Sequence, residues 1–361
     1  MNCKSNFNDY ISNINIQQYV KDELREKYEI LVGRLKQEPI GKHIIATFLQ
    51  GSMARDTAVK AIPPDKADID IVIVTDFIWT NDLNNIDPNK KTPDQALNAF
   101  RDFLNKYYKD KWRKQGRSLG IEMSNCCIDL VPTALPSVTM QEALREMFSN
   151  DTNYFKEFLN ESYSSDKLIS FARKNSKWKD EYLMIPDRAA KKWDKTHPLE
   201  QITWADEKHR ATNYTYKKLV RALKWWNNNF VNVDNMKSYP LEYFIGKCTE
   251  NDESLSLEIA VYKVLNRMAT YSTRKPWMPD IGVPEHDVFA RLSEENYQDF
   301  IIIVKKTLDI ASKAYFEENK TESSKLWQKI FGKEFPVYDS PSPQFTERKE
   351  PSSVNTEGRF A

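Results

Sequence analysis

The sequence predicts an α+β fold in two lobes, a small mixed β-sheet with flanking helices followed by a helical domain. Three observations carry this. Short apolar runs bounded by turn residues crowd the first 140 positions: HIIATFL at 43–49, DIDIVIV at 68–74, then SLGIEM and CCIDLVP within 118–132. Beyond about 140, helical periodicity dominates through about 318 and strand signals nearly vanish. A chain of 361 residues also exceeds what one hydrophobic core usually organises. The expected division is 1–150 for the sheet domain with its long N-terminal helix, 151–330 for the helical domain, and 331–361 for a flexible C-terminal tail.

In chain order, the first predicted helix spans 17–38, where Tyr19, Leu24, Tyr28, Leu31, Val32 and Leu35 recur near a helical period. A strand at 43–49 ends in Gly51-Ser52. Pro63 and Pro64 mark a loop before the second strand. A helix over 93–109 starts with Thr92 as N-cap and Pro93 in the first turn, and carries the stripe Leu97, Phe100, Leu104, Tyr107. Residues 118–132 read as two more strands. The stretch MIPDRAAKKWDKTHPLEQITW, 184–204, is read as an ordered connecting loop. YTYKKLVRALKWWNNNF, 214–230, is an amphipathic helix with Leu219, Leu223, Trp226 and Phe230 as its buried stripe and Lys217, Arg221, Lys224 and Asn228 opposite. SYPLEYFIG then supplies Ser238 as a natural N-cap with Pro240 behind it.

Composition narrows the class. Hydrophobic residues make up 40% and charged residues 29%, as in soluble globular proteins. Lys+Arg 53 against Asp+Glu 52 leaves a net charge of +1, so anion binding must be local rather than global. The cysteines Cys3, Cys126, Cys127 and Cys248 show no CxxC spacing, and MNCKSNFNDY lacks the apolar core of a signal peptide, so a cytoplasmic setting is expected. The apolar runs are far shorter than the roughly 20 residues a membrane-spanning helix needs. The four histidines fall at no zinc-ligand spacing and receive no role.

The chemistry lies in three acids. Side chains at i and i+2 of a strand share a face, so Asp68 and Asp70 project together. Paired carboxylates repel, and burial raises the cost of ionising both unless a cation neutralises them. Such hard oxygen donors suit Mg²⁺ with a substrate phosphate. Asp129, in CCIDLVP, repeats the pattern of an acid inside an apolar strand. Three acids on adjacent strands can hold two ions roughly 3.5 to 4 Å apart, one activating a hydroxyl and one stabilising leaving pyrophosphate. A DxD at a strand's start can also simply face water. The Gly51-Ser52 turn adds weight to the first reading, because glycine lets the backbone approach a phosphate. Lys224 and the start of the helix at Ser238 would together suit a triphosphate, although a charged face is usually just solvated and capping already explains Ser238.

Taken together, GS, DxD and the later strand aspartate resemble the DNA polymerase β-type nucleotidyltransferase superfamily. The lysine-bearing helix followed by Ser-Tyr is similar to the branch holding oligoadenylate synthetases, cyclic GMP-AMP synthases and the bacterial CD-NTases of antiphage signalling. QGSMARDTAVK with DIDIVIV is most similar to the CD-NTases. The resemblance covers about 15–320 and implies a nucleotidyltransferase core joined to a helical nucleotide-binding domain. It implies Asp68, Asp70 and Asp129 as catalytic ligands of two Mg²⁺ ions, with Mn²⁺ as a substitute. Gln50, Gly51 and Ser52 would hold the donor nucleotide, Lys224 and Ser238 its triphosphate, and Tyr239 would stack on a base. The gap of fifteen residues between Ser52 and Asp68 is long for the pattern.

The implied activity is synthesis of a cyclic di- or trinucleotide second messenger from ATP, with or without GTP or another NTP, releasing pyrophosphate in antiphage (CBASS-type) signalling through a downstream effector. A monomer needing no nucleic-acid template and no membrane is expected. The tail ending GRFA would suit an E1-like conjugating enzyme acting on Ala361. The alternative is a template-independent RNA or linear oligoadenylate nucleotidyltransferase, for which NKYYKDKWRKQGR at 105–117 and RKNSKWK at 173–179 are candidate basic tracks.

Overall fold

The computed structural model describes residues 3–338 apart from 63–64, 89, 136, 139–140, 143–180, 232 and 235. The expected loop prolines Pro63 and Pro64, the basic run 173–179, and Ala361 with the tail beyond Tyr338 lie outside the described residues.

One seven-stranded mixed sheet organises the first lobe. Its path runs β1 (Ile44–Gln50), β2 (Ala67–Thr75), β7 (Cys126–Ala134), β6 (Leu119–Glu122), β5 (Trp112–Lys114). Only β2 and β7 are parallel in it. Ile69, Ile71, Val72, Ile73 and Val74 are all buried, as a strand covered on both faces requires. Helix α1 spans Lys4–Ile14, and α2 (Gln18–Gln37) buries Leu24, Tyr28, Leu31, Val32 and Leu35 in the sheet's core while Tyr19 stays outside.

The single helix expected over 93–109 is two, α4 (Pro93–Asn98) and α5 (Arg101–Tyr107), following the short α3 (Gly51–Ala54). Thr92 caps α4 in a reciprocal capping box with Gln95. The break is a local tightening in which the Phe100 N–H donates to the Leu97 carbonyl, at 3.3 Å, instead of continuing the α-ladder. Phe100 itself is fully buried.

The loop expected over 184–204 is instead a hairpin, β8 (Leu183–Asp187) and β9 (Lys192–Thr196), leading into helix α6 (Pro198–Ala211). It extends the sheet where β6 has ended, through Ala134 opposite Met184. Only Trp193 is buried in β9, so the strand has no apolar alternation to reveal it. Its order comes from pairing with β8 and from Trp193, whose indole N–H donates to the Lys91 carbonyl at 2.8 Å. A two-stranded parallel ribbon, β3 (Ile78–Trp79) with β4 (Lys90–Lys91), completes the lobe.

The second core is helical: α7 (Tyr216–Phe230), α8 (Ser238–Cys248), α9 (Leu257–Thr270), α10 (Glu294–Phe316) and α11 (Lys320–Phe331). Among the described residues the sheet core runs from Leu24 to Ile202 and the helical core takes up from Ala205, so the packing division falls later than residue 150. The helical core also recruits α1, whose Phe7 and Tyr10 pack on Trp327, Phe331 and Phe335.

Two expectations about α7 change. Phe230 is 48% exposed rather than part of the buried stripe, whereas Lys217 and Lys224, placed on the opposite polar face, are buried. On the polar side of α7, Lys224 and Arg221 reach Thr57 and Asp56 of the first lobe, while Lys217 pairs with Asp206 of α6. Likewise Ser238 is not a cap: Lys237 occupies that position without a side-chain bond, and Ser238 is the first residue of α8.

Candidate active site

The three acids converge because β2 and β7 run parallel and in register, which sets Asp70 directly beside Asp129 and Asp68 beside Cys127. One carboxylate oxygen from each of Asp68, Asp70 and Asp129 lies within 4.8 Å of the others. Burial pushes Asp68 up to about 7, helped by the charges of Asp70 and Asp129. Burial and then Asp129 push Asp70 to about 6, against the pull of Arg55 and Lys224. Asp129 is raised by burial too, and opposed by hydrogen bonds from Ser118 and Gln115 and by the Arg113 charge. Gln115 donates from Nε2 to Asp129 Oδ1 at 3.0 Å. A cluster of hard oxygens under this repulsion fits divalent cations.

Gly51 turns the chain out of β1 at a point where no side chain fits. Gln50 pairs with Asp70 across the sheet, and Gly51 follows at φ 73°. A Cβ on Gly51 would stand 2.1 Å from Asp70 Oδ2. The turn therefore holds backbone against a metal-binding carboxylate, which only glycine allows.

A cleft of about 430 Å³ opens beside the acids between the lobes. Ser52 and Asp68 line it from the first lobe, Lys224 and Ser238 from the second, with Lys60 and Lys66 adding positive charge. Lys224, only 3% exposed, donates to the Thr57 carbonyl at 3.0 Å. Burial pushes its ammonium down to about 8, against the opposing charge of Glu242. Tyr239 stands apart from the cleft lining: its hydroxyl donates to Asp280 at 2.6 Å and its ring lies 5.2 Å from the Arg55 guanidinium. Gln50 is likewise not in the lining.

On the other side of Asp129 lies a second cavity, about 550 Å³, bounded by Arg113, Gln115, Glu122, Cys127 and again Lys66. Lys66 is tied to Glu122 at 2.8 Å and to the Met123 carbonyl at 2.7 Å, and lines both spaces. Sequence reasoning missed Lys66 and Gln115 as site residues and placed Arg113 only in the basic run 105–117. Lys66 carried no motif, and Gln115 acts only because the turn between β5 and β6 brings its amide to Asp129 on β7. Cys127 was within reach, since it lies two residues before Asp129 on the same strand face.

Residues 1–142 match the family model of the Second Messenger Oligonucleotide or Dinucleotide Synthetase domain. The chain is 37% identical to a probable cyclic AMP-AMP-GMP nucleotide synthase of Salmonella paratyphi B, the comparison covering 100% of each. It is 34% identical, again over 100% of each, to a cyclic AMP-AMP-GMP synthase of Enterobacter hormaechei. Its fold is similar to that of CdnC from E. coli MS115-1, solved with ATP, with a TM-score of 0.66 at 16% identity over 93% of this chain and 99% of that one.

Proposed function

The chain belongs to the bacterial CD-NTases, relatives of the cyclic GMP-AMP synthases, and we propose that it joins nucleoside triphosphates into a cyclic oligonucleotide, releasing pyrophosphate at each step. The observation that carries the proposal is the convergence of Asp68, Asp70 and Asp129, the first of which lines a cleft together with Ser52, Lys224 and Ser238. Full-length similarity to two proteins named for cyclic AMP-AMP-GMP favours a three-membered ring made from ATP and GTP.

In this reading the donor triphosphate lies in the 430 Å³ cleft, with Ser52 and the Gly51 turn on one side and Lys224 and Ser238 on the other. The acceptor nucleotide enters from the 550 Å³ cavity, beside Arg113 and Gln115. Divalent cations, Mg²⁺ or Mn²⁺, held by the three aspartates would neutralise their repulsion and offset the charge that builds on the departing pyrophosphate. The acceptor 2′- or 3′-hydroxyl attacks the donor α-phosphorus, the bond to the β-phosphate oxygen breaks, and the hydroxyl proton passes to the Asp129 carboxylate and on to solvent. Gln115 holds Asp129 in orientation through the bond to Oδ1. Repetition extends the chain, and attack by the terminal hydroxyl on the remaining triphosphate closes the ring. Tyr239 would reach a base only by turning from Asp280. We assign the product a second-messenger role in antiphage defence, acting on an effector, and take the sheet lobe as the catalytic domain of that enzyme and the helical lobe as its nucleotide-binding domain.

The RNA-directed alternative is weakened along one of its two basic runs, the other, 173–179, lying outside the described residues. Within 105–117, Lys106 is paired with Glu38, Lys114 with Asp94, and Arg117 with Asp187 and Asp194, so these charges are already neutralised.

The test is incubation of the purified chain with combinations of labelled NTPs and Mg²⁺ or Mn²⁺, then phosphatase and nuclease P1 digestion and mass analysis. A phosphatase-resistant product requiring ATP and GTP together is expected, absent from the Asp68→Asn/Asp70→Asn variant. Only linear, phosphatase-trimmed oligomers would favour the alternative, and unchanged turnover in the double variant would remove the metal assignment.

A further inference from the structure

Three side chains sealed in the seam between the lobes touch no substrate in the chemistry above, though the Arg55 charge acts on Asp70 and that of Glu242 on Lys224. Arg55, Thr57 and Glu242 are 5%, 0% and 1% exposed. Arg55 donates from Nε to Glu242 Oε1 at 2.7 Å and from Nη2 to Oε2 at 3.2 Å, and the Thr57 hydroxyl donates to the same Oε2 at 2.9 Å. A forked pair of this kind fixes angle as well as distance. Arg55 and Thr57 belong to the turn that follows Ser52. Glu242 sits in α8, one helical turn beyond Ser238.

Thr57 is the hub. Its N–H donates to the Ser52 carbonyl at 2.9 Å, and its own carbonyl accepts from Lys224 Nζ at 3.0 Å. The neighbouring Asp56, held at φ 53°, takes a further contact from Arg221 of α7 at 3.4 Å. Ser52, Lys224 and the first turn of α8 are thus joined by hydrogen bonds that meet at Thr57 and Glu242. For cohesion alone this is an expensive arrangement, since apolar residues of similar volume hold a seam without the cost of desolvating two charges. Apolar contacts do not set a register between two surfaces with the same directionality, whereas a forked ion pair does.

We propose that Glu242 is a positioning residue, which through Arg55 and Thr57 registers the Gly51–Ser52 turn against α7 and α8 so that Ser52, Lys224 and Ser238 face one triphosphate. The proposal rests on the reading of the cleft as the triphosphate site. Cutting the network leaves each half of the cradle folded on its own lobe but misaligned with the other.

Two full-length variants test it. Arg55→Met with Glu242→Leu replaces both charges by apolar groups, avoiding the buried lone charge that either single change would leave. Thr57→Val removes one hydrogen bond and keeps the shape. Binding of a non-hydrolysable ATP analogue with Mg²⁺, followed by calorimetry, is expected to weaken at least tenfold in the double variant and several-fold in Thr57→Val, with Thr57→Ser restoring it. KM for the NTPs should rise in the same proportion, more than kcat falls. Parental affinity and KM in a folded double variant, or in Thr57→Val if the double variant does not fold, would reduce the network to packing and end the proposal. A parent chain that does not bind the analogue would instead overturn the triphosphate reading together with the proposal built on it.

Discussion

Gly51 and Asp70 are so close that a Cβ on the glycine would lie 2.1 Å from the Asp70 Oδ2 atom. The phosphate-facing turn and the metal-facing strand are therefore one structural unit, in which the carboxylate occupies the space any other residue would need. Gly51→Ala must displace Asp70 and must also adopt φ 73°, itself worth about 1 kcal/mol or more for an L-residue. Pyrophosphate release should fall at least a hundredfold while the fold survives with a melting temperature lowered by a few degrees. Retained turnover would mean Asp70 is free to move, against the packing described.

The raised aspartates make stability depend on pH and on cations. Asp68 at about 7 and Asp70 at about 6 hold protons that the unfolded chain has lost, since its carboxylates titrate near 3.8. Without divalent ions, these groups stabilise the fold at low pH, and that stability drains as pH rises from about 4 through 7. For partly buried Asp70 the gap amounts to about 1–2 kcal/mol once solvent screening is allowed for. Asp68→Asn should flatten this slope in thermal melts, and Mg²⁺ should raise the melting temperature more at pH 8 than at pH 5. An identical pH slope in wild type and variant would refute the electrostatic account.

Gln115 should reveal itself in a pH–rate profile. Its bond to Asp129 Oδ1 favours the ionised carboxylate, and a hydrogen bond to a charged group is worth about 1.5–3 kcal/mol. Gln115→Ala should therefore shift the acidic limb of the profile upward, with activity recovering at higher pH. Gly120→Ala offers an independent check, because its Cβ would stand 2.3 Å from Gln115 Nε2 and push the amide away. A uniform loss of rate at every pH would point to a different role.

Stability measurements can separate the two ends of α7. Trp226 is 2% exposed in the helical core, so Trp226→Ala should cost about 3–5 kcal/mol in denaturant unfolding. Phe230, 48% exposed at the helix end, should tolerate Phe230→Ser within about 1 kcal/mol. Equal losses would restore Phe230 to the buried stripe that its spacing suggests.

Much of the site was legible because its signals are local. Alternation within DIDIVIV puts Asp68 and Asp70 on one face whatever else the chain does, and an acid inside CCIDLVP is conspicuous for the same reason. The cap at Thr92 also followed from neighbouring residues. The features that escaped depend on distant partners. β9 is a strand only because β8 and Trp193 hold it there, and Lys224 and Lys217 of α7 are buried only because Thr57 of the first lobe and Asp206 of α6 stand over them.

By itself, then, the sequence determined the strands β1, β2, β6 and β7, the helices α2 and α7, the three acids, and the glycine turn, since each is written in spacing over a few residues. Tertiary structure alone decided that β2 and β7 pair in parallel with Asp70 beside Asp129, and that Gln115 and Lys66 join the site. It also decided that Lys224 and Ser238 line the cleft shared with Ser52. Register between separate segments is set by hydrogen bonding and burial across the whole molecule, and no local period encodes it.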